Sequence, residues 1–112
     1  MTRTRLDRVR ASAGIVQLAL QQIEDELTGE VGARELAQIL RELHHEDHRQ
    51  DGVFGSLAQL LTVAGQSAGR IGPDRDGGMS CPLHEAAALI TENAGLQTYY
   101  ATRALDPQGE TE

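Results

Sequence analysis

An all-α chain, folded as a four-helix up-down bundle with long first and last helices and open to completion by dimerisation, is what the sequence predicts. Three observations carry this. Apolar residues recur at helical spacing over four stretches separated by glycine-bearing breaks. No stretch alternates apolar and polar residues in the manner of a strand. Leu and Ala occur fourteen times each, whereas Phe54, Tyr99 and Tyr100 are the only aromatics. That mixture suits helices that approach closely.

The chain has 112 residues, so one domain is expected, covering 1–105, with 106–112 as a flexible polar tail. A chain of this size can bury roughly two-thirds of its unfolded surface, enough for a core without staples.

The first helix is expected over about 4–28. Leu6, Val9, Ala13, Val16, Leu20, Ile23 and Leu27 follow a 3-4-3-4 spacing, which is a heptad seam. The positions beside the seam hold Arg5 and Arg10 at one end and Glu24 and Glu26 at the other. In a parallel self-pair Arg5 would face Arg10. In an antiparallel one Arg5 would face Glu26 and Arg10 would face Glu24, so charge favours the antiparallel pair. Ile15 and Leu18 lie off the seam and give the helix a second apolar face. A homodimer is therefore expected, set against a helix that packs wholly within one monomer.

The second helix is expected over about 33–50, with Leu36, Leu40 and Leu43 as its stripe, ended by DGVFG. The third spans about 56–70, with Leu57, Leu61, Ala64, Ala68 and Ile71 on one side. Gly65 and Gly69 in GQSAG suggest close helix packing. IGPDRDGGMS reads as a loop, its 72–79 part a lid, a partner contact or a plain connector. The fourth helix is expected over about 81–105, with Ser80 or Cys81 as its cap, Pro82 in its first turn, and Leu83, Ala87, Ile90, Ala94 and Ala101 inward.

RELHHEDHRQDG is the densest polar stretch. On a helix His44, Asp47 and His48 would share one face. Two imidazoles and a carboxylate form a known ligand set for zinc or non-haem iron. The plainer reading is a polar helix end, where cationic histidine suits the macrodipole. Cys81 and His84 could add ligands from the start of the fourth helix. An up-down bundle would hold them roughly 25 Å away, too far for a shared metal. Cys81 otherwise reads as an ordinary first-turn residue.

No complete catalytic set is visible, so the chain reads as more suited to binding than to catalysis, with no cofactor. There is no Lys, hence no phosphate-binding Gly-Lys loop. A net charge of −7 opposes phosphate-backbone binding, although Arg3, Arg5, Arg8 and Arg10 cluster near the N-terminus. The single Cys excludes an internal disulfide and fits a cytoplasmic setting. No apolar run is long enough for a membrane span. Ten Arg without Lys point to a GC-rich bacterial coding sequence. The leading expectation is a small acidic interaction module: an adaptor, accessory subunit or inhibitor of a basic partner, or a homo-oligomer. The alternatives are a metal-binding sensor or small metalloprotein using His44, Asp47 and His48, and a dimeric DNA-associated regulator resting on the N-terminal arginines.

Overall fold

The computed structural model describes residues 4–71 and 78–108. Among these the chain is helical and has no strand. The elements are α1 (Arg5–Glu26), α2 (Ala33–Leu43), α3 (Gly52–Ile71), α4 (Cys81–Leu89), a π turn (Ile90–Ala94) and α5 (Gly95–Leu105). Most of the expected 72–79 loop, Arg3 and the end of the polar tail lie outside the described residues. The residues group into two compact units, Met1–Gly32 and Ala33–Glu112. None of the described helices is long and apolar enough to cross a membrane.

The first unit is a single helix with its flanks. Thr4 caps it: its hydroxyl oxygen accepts the Asp7 N–H at 3.0 Å, and the Asp7 carboxylate accepts the Thr4 N–H at 3.3 Å. This reciprocal box satisfies two otherwise orphaned donors and sets the first residue of the helix. At the far end the Thr28 hydroxyl donates to the Asp25 carbonyl at 2.8 Å, and Gly29 follows. The helix therefore has the expected bounds to within two residues. It carries no buried residue.

In the second unit, α4, the π turn and α5 form one continuous helix, as expected for 81–105. α3 packs along α4 and the π turn, and α2 along α5. Both packings are antiparallel. Gly65 lies against His84, while Ala58 and Thr62 share a cleft with Ala87 and Thr91. His44 at the end of α2 lies against Gly95, and Arg34 near its start is 3.9 Å from Asp106. α2 and α3 thus follow one another along the long helix, where alternating up-down helices were expected.

The π turn explains how one helix serves two partners. Ala87, Gly95 and Thr102 are its buried positions. From 87 to 95 an unbroken α-helix would turn about 80° too far to keep one face. The Gly95 N–H instead bonds to the Ile90 carbonyl, five residues back. That wider turn absorbs the excess rotation.

The helices meet through small residues. Gly55, Ala58 and Gly65 of α3, Ala37 of α2 and Ala87, Gly95 and Thr102 of the long helix are buried. Among the described residues no large apolar side chain is fully enclosed. This corrects the expected stripe of α3: Leu57 and Ile71 are exposed and Leu61 half-buried, and the contact belongs to the glycine–alanine face instead. Ala94 and Ala101 of the last helix are likewise exposed. Of the GQSAG pair, Gly65 is in contact and Gly69 faces open space. Thr62, Thr98 and Thr102 return their hydroxyls to the carbonyls of Ala58, Ala94 and Thr98, so threonines stand on packed faces with their donors satisfied.

The second helix is shorter than expected and the third longer. α2 stops at Leu43, and α3 begins at Gly52 within DGVFG, where a break was predicted. Two turns link them, closed by His48 N–H to the His45 carbonyl at 3.1 Å and Asp51 N–H to the His48 carbonyl at 2.9 Å. Gly52 has φ +82°, and a Cβ there would lie 2.9 Å from the His45 ring. Only glycine enters α3 from that left-handed backbone without strain.

Candidate functional site

The 44–51 linker is where the sequence placed the ligand cluster, and its geometry differs from a helix face. The His44 Nε2 lies 2.9 Å from the Glu46 carboxylate, whose other oxygen accepts from Arg49 at 2.7 Å. Residues two apart do not face each other on a helix, so the His44–Glu46 contact exists only because the helix has ended. The shared face of His44, Asp47 and His48 is therefore corrected. His44 turns inward and is buried, while Asp47 and His48 are exposed. Among the described residues no three His, Cys, Asp or Glu side chains stand close enough to hold a metal ion.

His44 is the most constrained polar group in this region. Its side chain is 0% exposed. The ring tilts against Phe54 at 6.3 Å between centroids. On its other side it meets the backbone of Gly95 so closely that a Cβ there would stand 2.5 Å from Cε1 and Nδ1. Nδ1 has no hydrogen-bond partner. Arg49, and then His44, hold the Glu46 carboxyl below the ordinary glutamate value by hydrogen bonding, against the opposing effect of burial. In the tautomer with the proton on Nε2, Glu46 accepts it, and a bare lone pair on Nδ1 is cheaper to bury than an unpaired N–H. One ring nitrogen is engaged by Glu46 and the other faces the backbone of Gly95. The imidazole is a joint pin between α2, α3 and α5.

Glu46 gives a pH prediction. Its folded pKa is depressed, so its contribution is present above the unfolded value and is lost as pH falls through the folded one. In thermal melts, Glu46→Gln is expected to lower stability at neutral pH by about 1 kcal/mol or less, and the gap to wild type should close below the ordinary glutamate range. A gap that stays constant down to strongly acid pH would show that the carboxylate charge contributes nothing.

A cleft of about 710 Å³ opens beside this pin, lined by Gln38, Glu42, His45, Asp47, His48 and Tyr99 among others. Its cations and acids are intermixed, which favours no single ligand charge. Further along, Asp106 lies 3.7 Å from Arg41 and 3.9 Å from Arg34, tying the end of α5 to α2.

The other expected ligands lie elsewhere. Cys81 is exposed at the first residue of α4 and His84 rests on Gly65. Positions 84 and 95 are eleven residues apart on the long helix, so the His84 and His44 regions are separated by about 16 Å. They share no site. The interaction residues expected on the first helix stand along α1: Arg5, Leu6, Val9, Arg10, Val16, Leu20, Glu24 and Glu26 exposed, Ile23 half-buried.

The structure adds a surface of which the sequence reading had placed Leu57 and Ile71 on the inward stripe and left Leu60 and Val63 unassigned. In α3 the positions opposite the buried face include Leu57, Leu60, Val63 and Ile71, all exposed. Arg70 is the sole charged residue in this 20-residue helix. A signal for it was present in the sequence: Gly55 and Gly65 interrupt an apolar helix, and an internal glycine marks the side of close approach. No known protein family, curated protein or solved structure matches the chain.

Proposed function

We propose that the protein is a small acidic interaction module that acts by surface complementarity and performs no catalysis of its own. One observation carries the reading. The second unit packs its helices through Gly and Ala and turns Leu57, Leu60, Val63 and Ile71 of α3 outward. A helix that is apolar on two sides and packed on one has a second face to cover. On this reading the helical bundle is completed by association, with a protein partner, as a homo-oligomer, or both. The net charge of −7 would steer a basic partner towards the chain, while the uncharged α3 face supplies the contact.

The test is native co-purification with wild type beside a Leu57→Glu/Leu60→Glu variant. Both side chains are exposed, so the variant should melt within about 0.5 kcal/mol of wild type. Wild type is expected to retain a partner at fixed stoichiometry that the variant loses. Identical material on both would remove the α3 face as a docking surface. A variant that unfolds would show that these leucines belong to the core.

A further inference from the structure

The interaction-module reading leaves open what α1 binds, and the inference drawn here rests on that reading. We infer that the partner of α1 is a second copy of α1, laid antiparallel to the first. The capping box at Thr4 and the stop near Leu27 bound a 22-residue helix, about 33 Å long, that holds the seam from Leu6 to Ile23 and leaves Leu27 at its C-cap. Within its own unit there is no second helix for the seam to pack against. Leu6 and Val9 are each 55% exposed and Val16 56% exposed.

Charge then selects the occupant and its direction. The flanking positions are basic at one end, Arg5 and Arg10, and acidic at the other, Glu24 and Glu26. Between them Ser12, Gln17 and Ala19 are uncharged. An antiparallel copy places Arg5 beside Glu26 and Arg10 beside Glu24, twice over by symmetry. The two-fold axis passes near Val16, so Gln17 meets its own copy. A parallel copy would set Arg5 against Arg10 and would leave Glu24 facing Ala19, with no opposite charge at either end. Arg10 is available for this. It lies 4.0 Å from Asp7, and its side chain is 71% exposed. A basic target would instead be repelled by the arginine end of α1, so the seam fits its own copy better than a uniformly cationic surface.

The experiment uses the full chain. Sedimentation should show a dimer at high micromolar concentration. Arg5→Glu/Arg10→Glu and Glu24→Arg/Glu26→Arg should each weaken self-association about tenfold or more, and an equimolar mixture should restore it. Direction is read separately on a Cys81→Ser background. Under mild oxidation Gln17→Cys should form a linked dimer and Arg5→Cys should not. Circular dichroism confirms that each variant stays helical. A monomer at every concentration would overturn the inference and mean that the seam is covered otherwise, including within the chain. Dimerisation indifferent to both charge reversals would overturn it too, as would linking through Arg5→Cys. A monomer that still retains its α3 partner would refute this inference alone. Loss of the α3 partner with an intact α1 dimer would refute only that part of the module reading.

Discussion

Gly55→Ala is expected to lower the melting temperature by about 10 °C. The glycine is buried on the first turn of α3. A Cβ there would stand inside contact distance of the Arg49 carbonyl and of the Gln50 carbonyl group. Those are backbone atoms, so no side-chain rotation relieves the overlap. Either α3 moves away from the linker or the linker is rebuilt. Overpacking of this kind costs about 1–3 kcal/mol and occasionally more. Against it stands the gain from replacing glycine within a helix, about 1 kcal/mol. The backbone clash is placed at the top of its range or beyond, because the linker is also tied by the Glu46–Arg49 ion pair and the Asp51 turn. A net loss of about 2 kcal/mol gives the stated shift for a domain of this size. A melt within two degrees of wild type would show that the linker yields freely and is no part of the packed structure.

The helices themselves were legible because their signals are local. The heptad spacing of the first helix and Pro82 near the start of the last are each read within a turn or two. What failed was the assignment of faces. The sequence reading took leucines as the inward side, the usual rule for an amphipathic helix. In α3 the inward side is Gly55, Ala58 and Gly65, because backbones at close range exclude large side chains. Both faces are apolar, so periodicity alone could not choose between them. Gly65 in GQSAG points to close packing, and taken together with Gly55 it could have decided between the faces, since glycine is unfavourable in a helix interior without a packing reason.

The shared face of His44, Asp47 and His48 was misjudged for a related reason. His44, Asp47 and His48 share a face only if the helix continues to residue 50, and helix ends are set by competition between local bonds. Glu46 can bond His44 and Arg49 at once if the helix stops at Leu43, and Gly52 makes the return possible. None of that competition is visible in apolar spacing. The partner of the pin, Gly95, lies fifty-one residues from His44 and belongs to another helix. The α1 seam differs: its argument needs only residues on one helix, so sequence and structure describe it in the same terms.

Gly95→Ala is expected to destabilise the chain by about 1–3 kcal/mol, and His44→Ala is expected to abolish that penalty. The new methyl would stand 2.5 Å from the His44 ring. The ring has no room to swing. It is wholly enclosed, hydrogen-bonded to Glu46 and leaning on Phe54. Gly65→Ala supplies the contrast. Its Cβ would stand 2.9 Å from the His84 ring, but His84 is exposed and its imidazole can turn outward. There the helix-propensity gain of about 1 kcal/mol should prevail, leaving the variant neutral or slightly stabilised. The two substitutions are chemically the same and differ only in whether the facing histidine can move. Chemical unfolding of wild type, Gly95→Ala, His44→Ala and the double variant closes the cycle. A favourable coupling of about 1–2 kcal/mol in the double variant is the expected sign of direct contact. Strict additivity would separate the two residues and undo the account of His44 as the pin between α2 and α5. Equal penalties at Gly95 and Gly65 would mean that ring mobility is not what distinguishes them.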